Sequence, residues 1–130
     1  MQAALAFQMV QMKKAFAAFA EAVADDDGDV KSRNSLLLSY VFTFEMAWKC
    51  LKLAEVERGM VVPDYAVAAL KMGFQAGLID DPAMWDKLRE HRNNVAHAYD
   101  EEKAVAIAAF VRQYAATYFL KLMDRLARDD

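Results

Sequence analysis

Residues 35–52 read SLLLSYVFTFEMAWKCLK, and the spacing of their apolar side chains decides the fold class. Leu36, Tyr40, Phe44, Trp48 and Leu51 recur at intervals of four and three, with Leu37 and Val41 widening the stripe, which is the period of a helix with one buried face. Ser39, Glu45, Lys49 and Lys52 fall opposite. The pattern predicts a long helix that runs to about Arg58 and stops at Gly59.

Outward from this stretch the same period returns. Leu5, Met9, Met12, Phe16, Phe19 and Val23 form one stripe about six turns long. Asp25-Asp26-Asp27-Gly28-Asp29 interrupts it as a solvated loop, whose acidic side chains suit the positive start of the next helix. It lacks the oxygen positions and the closing glutamate of a calcium loop. Downstream, Pro63 and Asp64 start a short helix bearing Val67, Leu70 and Phe74, which Gly73 weakens and Gly77 ends. Asp81-Pro82 repeats the start signal, and a fourth helix is expected from Trp85 to about Tyr99. Asp100, Glu101 and Glu102 cap and charge a fifth, with a stripe of Ile107, Val111, Tyr114, Tyr118 and Leu122. The connections are short enough to predict an all-α, up-and-down bundle of four or five helices, one domain over residues 1–130.

Composition agrees. A chain of 130 residues has room for one core. With 4 Gly and 2 Pro it cannot supply the turns of an all-β fold, and its 57% apolar content exceeds what one small surface needs, so some is expected to face a second copy. The net charge of −3 gives no broad attraction to nucleic acid or anionic lipid, so any phosphate site must be local. Cys50 is the sole cysteine, expected as a small buried hydrophobe, and no Cys/His cluster has zinc-ligand spacing. Lys13 and Lys14, and Lys103 and Arg112, break the apolar runs well short of a membrane span. The start lacks the basic residues of a signal peptide, so the expected location is cytoplasmic. Neither metal nor cofactor is expected.

One stripe is anomalous. Trp85, Leu88, Arg92, Val95 and Tyr99 share a three-four spacing with a guanidinium at the centre, and the alternative residue there, His91, is polar too. An unpaired buried arginine is costly, so this face should open onto a cleft, an anionic ligand or a partner subunit. On a continuous helix Arg92 lies near Tyr99 while Asn93 and His97 form a second pair, the four lining a polar wedge. Spacing leaves a plainer reading open, in which Arg92 pairs with a neighbouring glutamate, His97 is exposed and the Tyr99 hydroxyl sits in water.

His91-Arg92-Asn93-Asn94-Val95-Ala96-His97-Ala98-Tyr99 resembles the Arg-x4-His-x-Tyr motif of HEPN domains paired with minimal nucleotidyltransferases. Phe42-Thr43-Phe44-Glu45-Met46-Ala47-Trp48-Lys49-Cys50-Leu51-Lys52 is similar to that family's F-x-F-E-x-A-W-K-x-L-K helix. Further similarity lies at Ala76-Gly77-Leu78-Ile79-Asp80-Asp81, Trp85 and Tyr99-Asp100-Glu101, so the resemblance spans roughly residues 33–125. It is to the nucleotidyltransferase substrate-binding subgroup, whose relatives include HEPN ribonuclease toxins. It implies a homodimeric HEPN bundle in which two Arg-x4-His segments meet in one cleft. It further implies metal-independent RNA cleavage by Arg92 and His97 with Asn93 assisting, and neutralisation by AMP transfer from a partner nucleotidyltransferase to Tyr99.

The side chains suit that chemistry. An imidazole titrates close to neutral pH and can move protons for attack by a 2′-hydroxyl, and a guanidinium offers forked donors to phosphate oxygens. Local charge from Lys87, Arg89 and Arg92 is diluted by Asp86 and Glu90. A second function fits the same residues: a non-catalytic subunit presenting a nucleotide or other substrate to the nucleotidyltransferase. A di-iron bundle lacks its Glu-x-x-His pairs, and an interaction bundle with no ligand is the remaining alternative.

Overall fold

The computed structural model describes residues 1–128; of the domain expected over 1–130, Asp129 and Asp130 lie outside the described residues. Among the described residues there is no strand. The helices are α1 (Ala3–Asp25), α2 (Val30–Glu57), α3 (Ala66–Gln75) and α4 (Pro82–Asn94), followed by a C-terminal rod. That rod is α5 (Glu101–Phe110) and α6 (Ala116–Ala127) joined by a π turn at Val111–Ala115. No described helix is long and apolar enough to cross a membrane.

α1 and α2 form an antiparallel hairpin. Gln2 N donates to Glu57 Oε1 at 2.5 Å and Gln8 Nε2 meets Met46 Sδ at 3.0 Å. Asp29 caps α2 by accepting from Ser32 N at 2.7 Å, and the Ser32 hydroxyl bonds back to Asp26 and Asp27. The acidic run is therefore a capped turn, and its second carboxylate also pairs with Arg112. Leu5, Met9, Met12 and Phe19 of α1 are buried as their spacing predicts, with Phe16 and Val23 partly buried at the margin.

The centre of the core is aromatic. The Phe19 ring stands edge-on to Phe119 at 5.8 Å, and Tyr40 lies 6.0 Å from Phe119. The Tyr40 hydroxyl donates to Leu88 O at 2.6 Å, and burial pushes its phenol far above the ordinary range, so it acts as a neutral donor tying α2 to α4. Cys50 is fully buried, as expected, and burial pushes its thiol up to about 12.

Three elements differ from the sequence reading. The α3 stripe of Val67, Leu70 and Phe74 is not the buried one: Leu70 is inside, but Val67 and Phe74 are half exposed, while Ala68, Ala69 and Gly73 face the core. The cause is a close approach of α3 to α2. A Cβ at Gly73 would lie 2.8 Å from Glu55 Oε2 and from Leu51 Cδ2, so only the small-residue face fits and Gly73 is required by packing. α4 begins at Pro82 and ends at Asn94 instead of running from Trp85 to Tyr99. In the C-terminal rod the π turn shifts the buried line onto Ala115, Phe119, Leu122 and Leu126, leaving Tyr114 and Tyr118 toward solvent.

Glu55 is the unusual core residue. It is fully buried, neither carboxyl oxygen has a hydrogen-bond partner, and burial pushes its pKa up to about 8 against the opposing pull of Arg58.

Candidate functional site

The site is built on the way α4 starts and stops. Asp81 adopts the left-handed region at φ 53°, and its Oδ1 accepts from Met84 N at 3.3 Å while Oδ2 accepts from the Tyr118 hydroxyl at 2.8 Å. That hydrogen bond raises the Tyr118 pKa. Pro82 then sets the first turn, and Trp85 and Leu88 anchor it in the core. At the other end the chain tightens after Asn94 into a 3-10 turn at Val95–His97. Asp100 then turns extended to cap α5, accepting from Lys103 N at 3.2 Å. A strong cap three residues beyond His97 competes with continuation of α4, so the helix ends before the motif does.

The helical-wheel angles that pair Arg92 with Tyr99 and Asn93 with His97 consequently do not extend beyond Asn94. The structure instead brings His97 and Tyr99 together, rings edge-on with centroids 6.2 Å apart. Both are exposed, Tyr99 at 87%. Asn93 is exposed on the last turn of α4.

Arg92 is half-buried and ion-paired. Its Nε donates to Glu45 Oε1 at 2.6 Å, and Glu45 Oε2 accepts from Trp48 Nε1 at 3.0 Å. The plainer pairing with a neighbouring glutamate is thus present, yet it uses one of the five guanidinium N–H donors. Arg92 also forms the wall between two open clefts. One, about 370 Å³, is apolar and holds Leu37, Leu38, Val41, Val95 and Ala98. The other, about 400 Å³, holds Trp48, Tyr65, Arg89 and Asn93. The expectation that this face opens onto a cleft is met on both sides.

Three contributors escape the apolar periodicity. Glu45 falls on the polar face and within the family-like helix, but neither pattern shows that it orients Arg92. Arg33 is 7% exposed, and its terminal nitrogen meets Glu101 Oε2 at 2.7 Å, pinning α2 to the first turn of α5 directly after the Tyr99 segment. His91 stacks on Phe110 at 4.1 Å, with burial lowering its pKa, so it packs α4 against α5. No spacing rule signals the Glu45, Arg33 and His91 pairings, because each partner lies on a different helix.

The family described as nucleotidyltransferase substrate binding protein like matches residues 7–128. "Probable ribonuclease HepT" of Haemophilus influenzae is 28% identical over 79 residues, 58% of this chain, and the match spans about half (54%) of that relative's length. Among solved structures, the tri-AMPylated Shewanella oneidensis HEPN toxin in complex with MNT antitoxin superposes with a TM-score of 0.82 at 16% identity, covering 99% of this chain and 100% of that chain. A MntA–HpeT toxin–antitoxin mutant gives 0.77 at 17% identity, covering 96% and 98%. At these identities the structural likeness is one of fold. Because the profile matches nearly the whole bundle, from α1 to the end of α6, the chain belongs to the nucleotidyltransferase substrate binding protein like family and carries the HEPN all-α fold.

Proposed function

We propose that the protein is a HEPN-type, metal-independent ribonuclease that works as a homodimer and is neutralised by a partner nucleotidyltransferase. The observation that carries this reading is the pairing of exposed His97 and Tyr99 in the turn that follows α4, whose last turns carry an Arg92 that borders two clefts. The names of the relatives, a ribonuclease and toxins bound to antitoxins, support the same direction.

A second copy supplies what one chain lacks. Leu38 and Phe42 are 56% and 55% exposed on the outer face of α2, and Leu38 continues into the apolar cleft against Arg92, an unpartnered surface suited to a two-fold contact. His97 would accept the proton of the attacking 2′-hydroxyl as its oxygen bonds to phosphorus. The 5′-oxygen leaves with a proton from His97 of the partner subunit. Arg92 orients the phosphate and stabilises the charge that develops, and Asn93 donates to the same group. A monomer is then inactive.

Tyr99 is the modification acceptor. A phenol is a weak nucleophile, so the partner enzyme supplies base and nucleotide; the Tyr99 oxygen attacks the α-phosphate of ATP and pyrophosphate leaves. An adenylyl group there places negative charge and bulk where substrate phosphate must come. Adding the nucleotidyltransferase and ATP to purified dimer should attach AMP to Tyr99, seen by peptide mass, and suppress RNA cutting in step. Suppression with Tyr99 unmodified would contradict the assignment. A non-catalytic binding subunit remains the competing role; it predicts no cutting by an unmodified dimer.

A further inference from the structure

The outward face of α3 and its approach present two exposed aromatic side chains, one of them in a cleft with Arg92. Tyr65, immediately before α3, is 56% exposed, and Phe74, on its last turn, is 49% exposed. The cleft containing Arg92, Asn93 and Tyr65 shares Val67 and Arg89 with a second open cleft of about 340 Å³ that continues to Lys71 and Phe74. Phe74 in turn borders a third cleft holding Trp85 and Lys121. The three clefts thus adjoin one another in a row along the α3–α4 seam, and at 1.5 Å per residue the stretch from Tyr65 to Phe74 extends about 14 Å.

We propose that this row of clefts forms a groove that carries the single-stranded RNA away from the Arg92 site, with Tyr65 and Phe74 as stacking platforms for two non-adjacent bases of the strand and Arg89 and Lys71 beside the backbone between them. This rests on the ribonuclease reading and adds the substrate's path. A flat aromatic side chain accepts the π face of any base, and a guanidinium or ammonium between platforms meets a phosphate of the intervening backbone. Arg89 is held in place by Asp86, which accepts from its Nε at 3.1 Å and from a terminal nitrogen at 2.9 Å, so a fixed cation stands on the seam. A helical protein partner would call for an uninterrupted apolar stripe. Here Arg89, Lys71 and Asp86 interrupt the apolar lining of Val67, Leu70 and Phe74. Because Asp86 offsets Arg89, and Asp64 is committed to Lys52 at 2.9 Å, few phosphates are neutralised and stacking carries most of the contact.

The test uses the full chain carrying His97→Ala, so that RNA survives, with a labelled dodecamer and a dinucleotide. Binding is read by titration at several salt concentrations and contacts by photo-cross-linking with mass spectrometry. The dodecamer should bind more tightly than the dinucleotide and cross-link to residues 65–74. Tyr65→Ala and Phe74→Ala, both at exposed positions, should each weaken dodecamer binding about 5- to 30-fold. Lys71→Ala should reduce the slope of log affinity against log salt by about 0.7. Unchanged dodecamer affinity in both aromatic variants, or cross-links confined to other segments, overturns the groove. Loss of nucleotidyltransferase association in those variants with RNA affinity untouched also overturns it and assigns the seam to that protein. If the unmutated chain fails to cut RNA while cross-links stay on 65–74, the ribonuclease reading falls and the groove stands.

Discussion

The two ends of α4 are built for opposite purposes. At its start, Asp81 is held in a left-handed conformation, bonds Tyr118 and Met84, and leads into Trp85 and Leu88, both buried. The preceding turn is tied to α3 by Leu78 N and Ile79 N, which donate to Gly73 O at 2.8 and 3.3 Å. At its end, the helix tightens into a 3-10 turn with no fully buried residue and presents His97 and Tyr99 to solvent. The same rod is thus clamped at one end, so that its other end, where only Val95 and Ala98 pack partly against the core, can hold His97 and Tyr99 outward in a fixed place.

That contrast predicts a separation of stability from activity. Trp85→Ala removes the main apolar anchor of the clamped end and should cost about 3–5 kcal/mol, read by denaturant unfolding. Loss of cleavage beyond the lost folded fraction would show that the ends are coupled.

Glu55, facing Gly73 in the layer that receives the clamped end, makes the stability of that end depend on pH. Its folded pKa, about 8, lies above the ordinary carboxylate value, so the folded chain holds a proton that the unfolded chain releases. The stability this contributes is fully present below the ordinary carboxylate range and is lost as pH rises through about 8. Glu55→Gln should therefore flatten the decline of stability with pH and leave the chain more stable by about 1–3 kcal/mol at neutral to mildly alkaline pH. An unchanged pH profile would mean that the carboxylate has found a partner. At the open end, Tyr99→Phe should shift stability by less than about 0.5 kcal/mol and keep cleavage, yet resist neutralisation by the nucleotidyltransferase. If AMP transfer still neutralises this variant, the acceptor lies elsewhere.

Much of the clamped half could be read from sequence. The stripes of α1 and α2, the Gly59 and Gly77 stops and the Asp81-Pro82 start depend on short-range period and turn chemistry, and the structure keeps them. Where the reading failed, tertiary contact overrode local pattern. The close approach at Gly73 turned Val67 and Phe74 outward, and the π turn moved the buried line of the last rod from Tyr118 to Phe119. Of the candidate site, the residue types Arg92, Asn93, His97 and Tyr99 can be read in the sequence, but their arrangement cannot. The Asp100 cap ends the helix on which their angular relation was drawn, and Glu45 and Arg33 act from another helix.

The measurement that bears most directly on the central claim is cutting of labelled RNA in EDTA by purified dimer with unmodified Tyr99, wild type beside His97→Ala, with mass spectrometry of the product ends. The expected result is cutting by the wild type, cyclic phosphate at the new 3′ ends, and a rate about 10²- to 10⁴-fold lower in the variant at unchanged fold and dimerisation. Equal cutting by both proteins, or none by either, would contradict it.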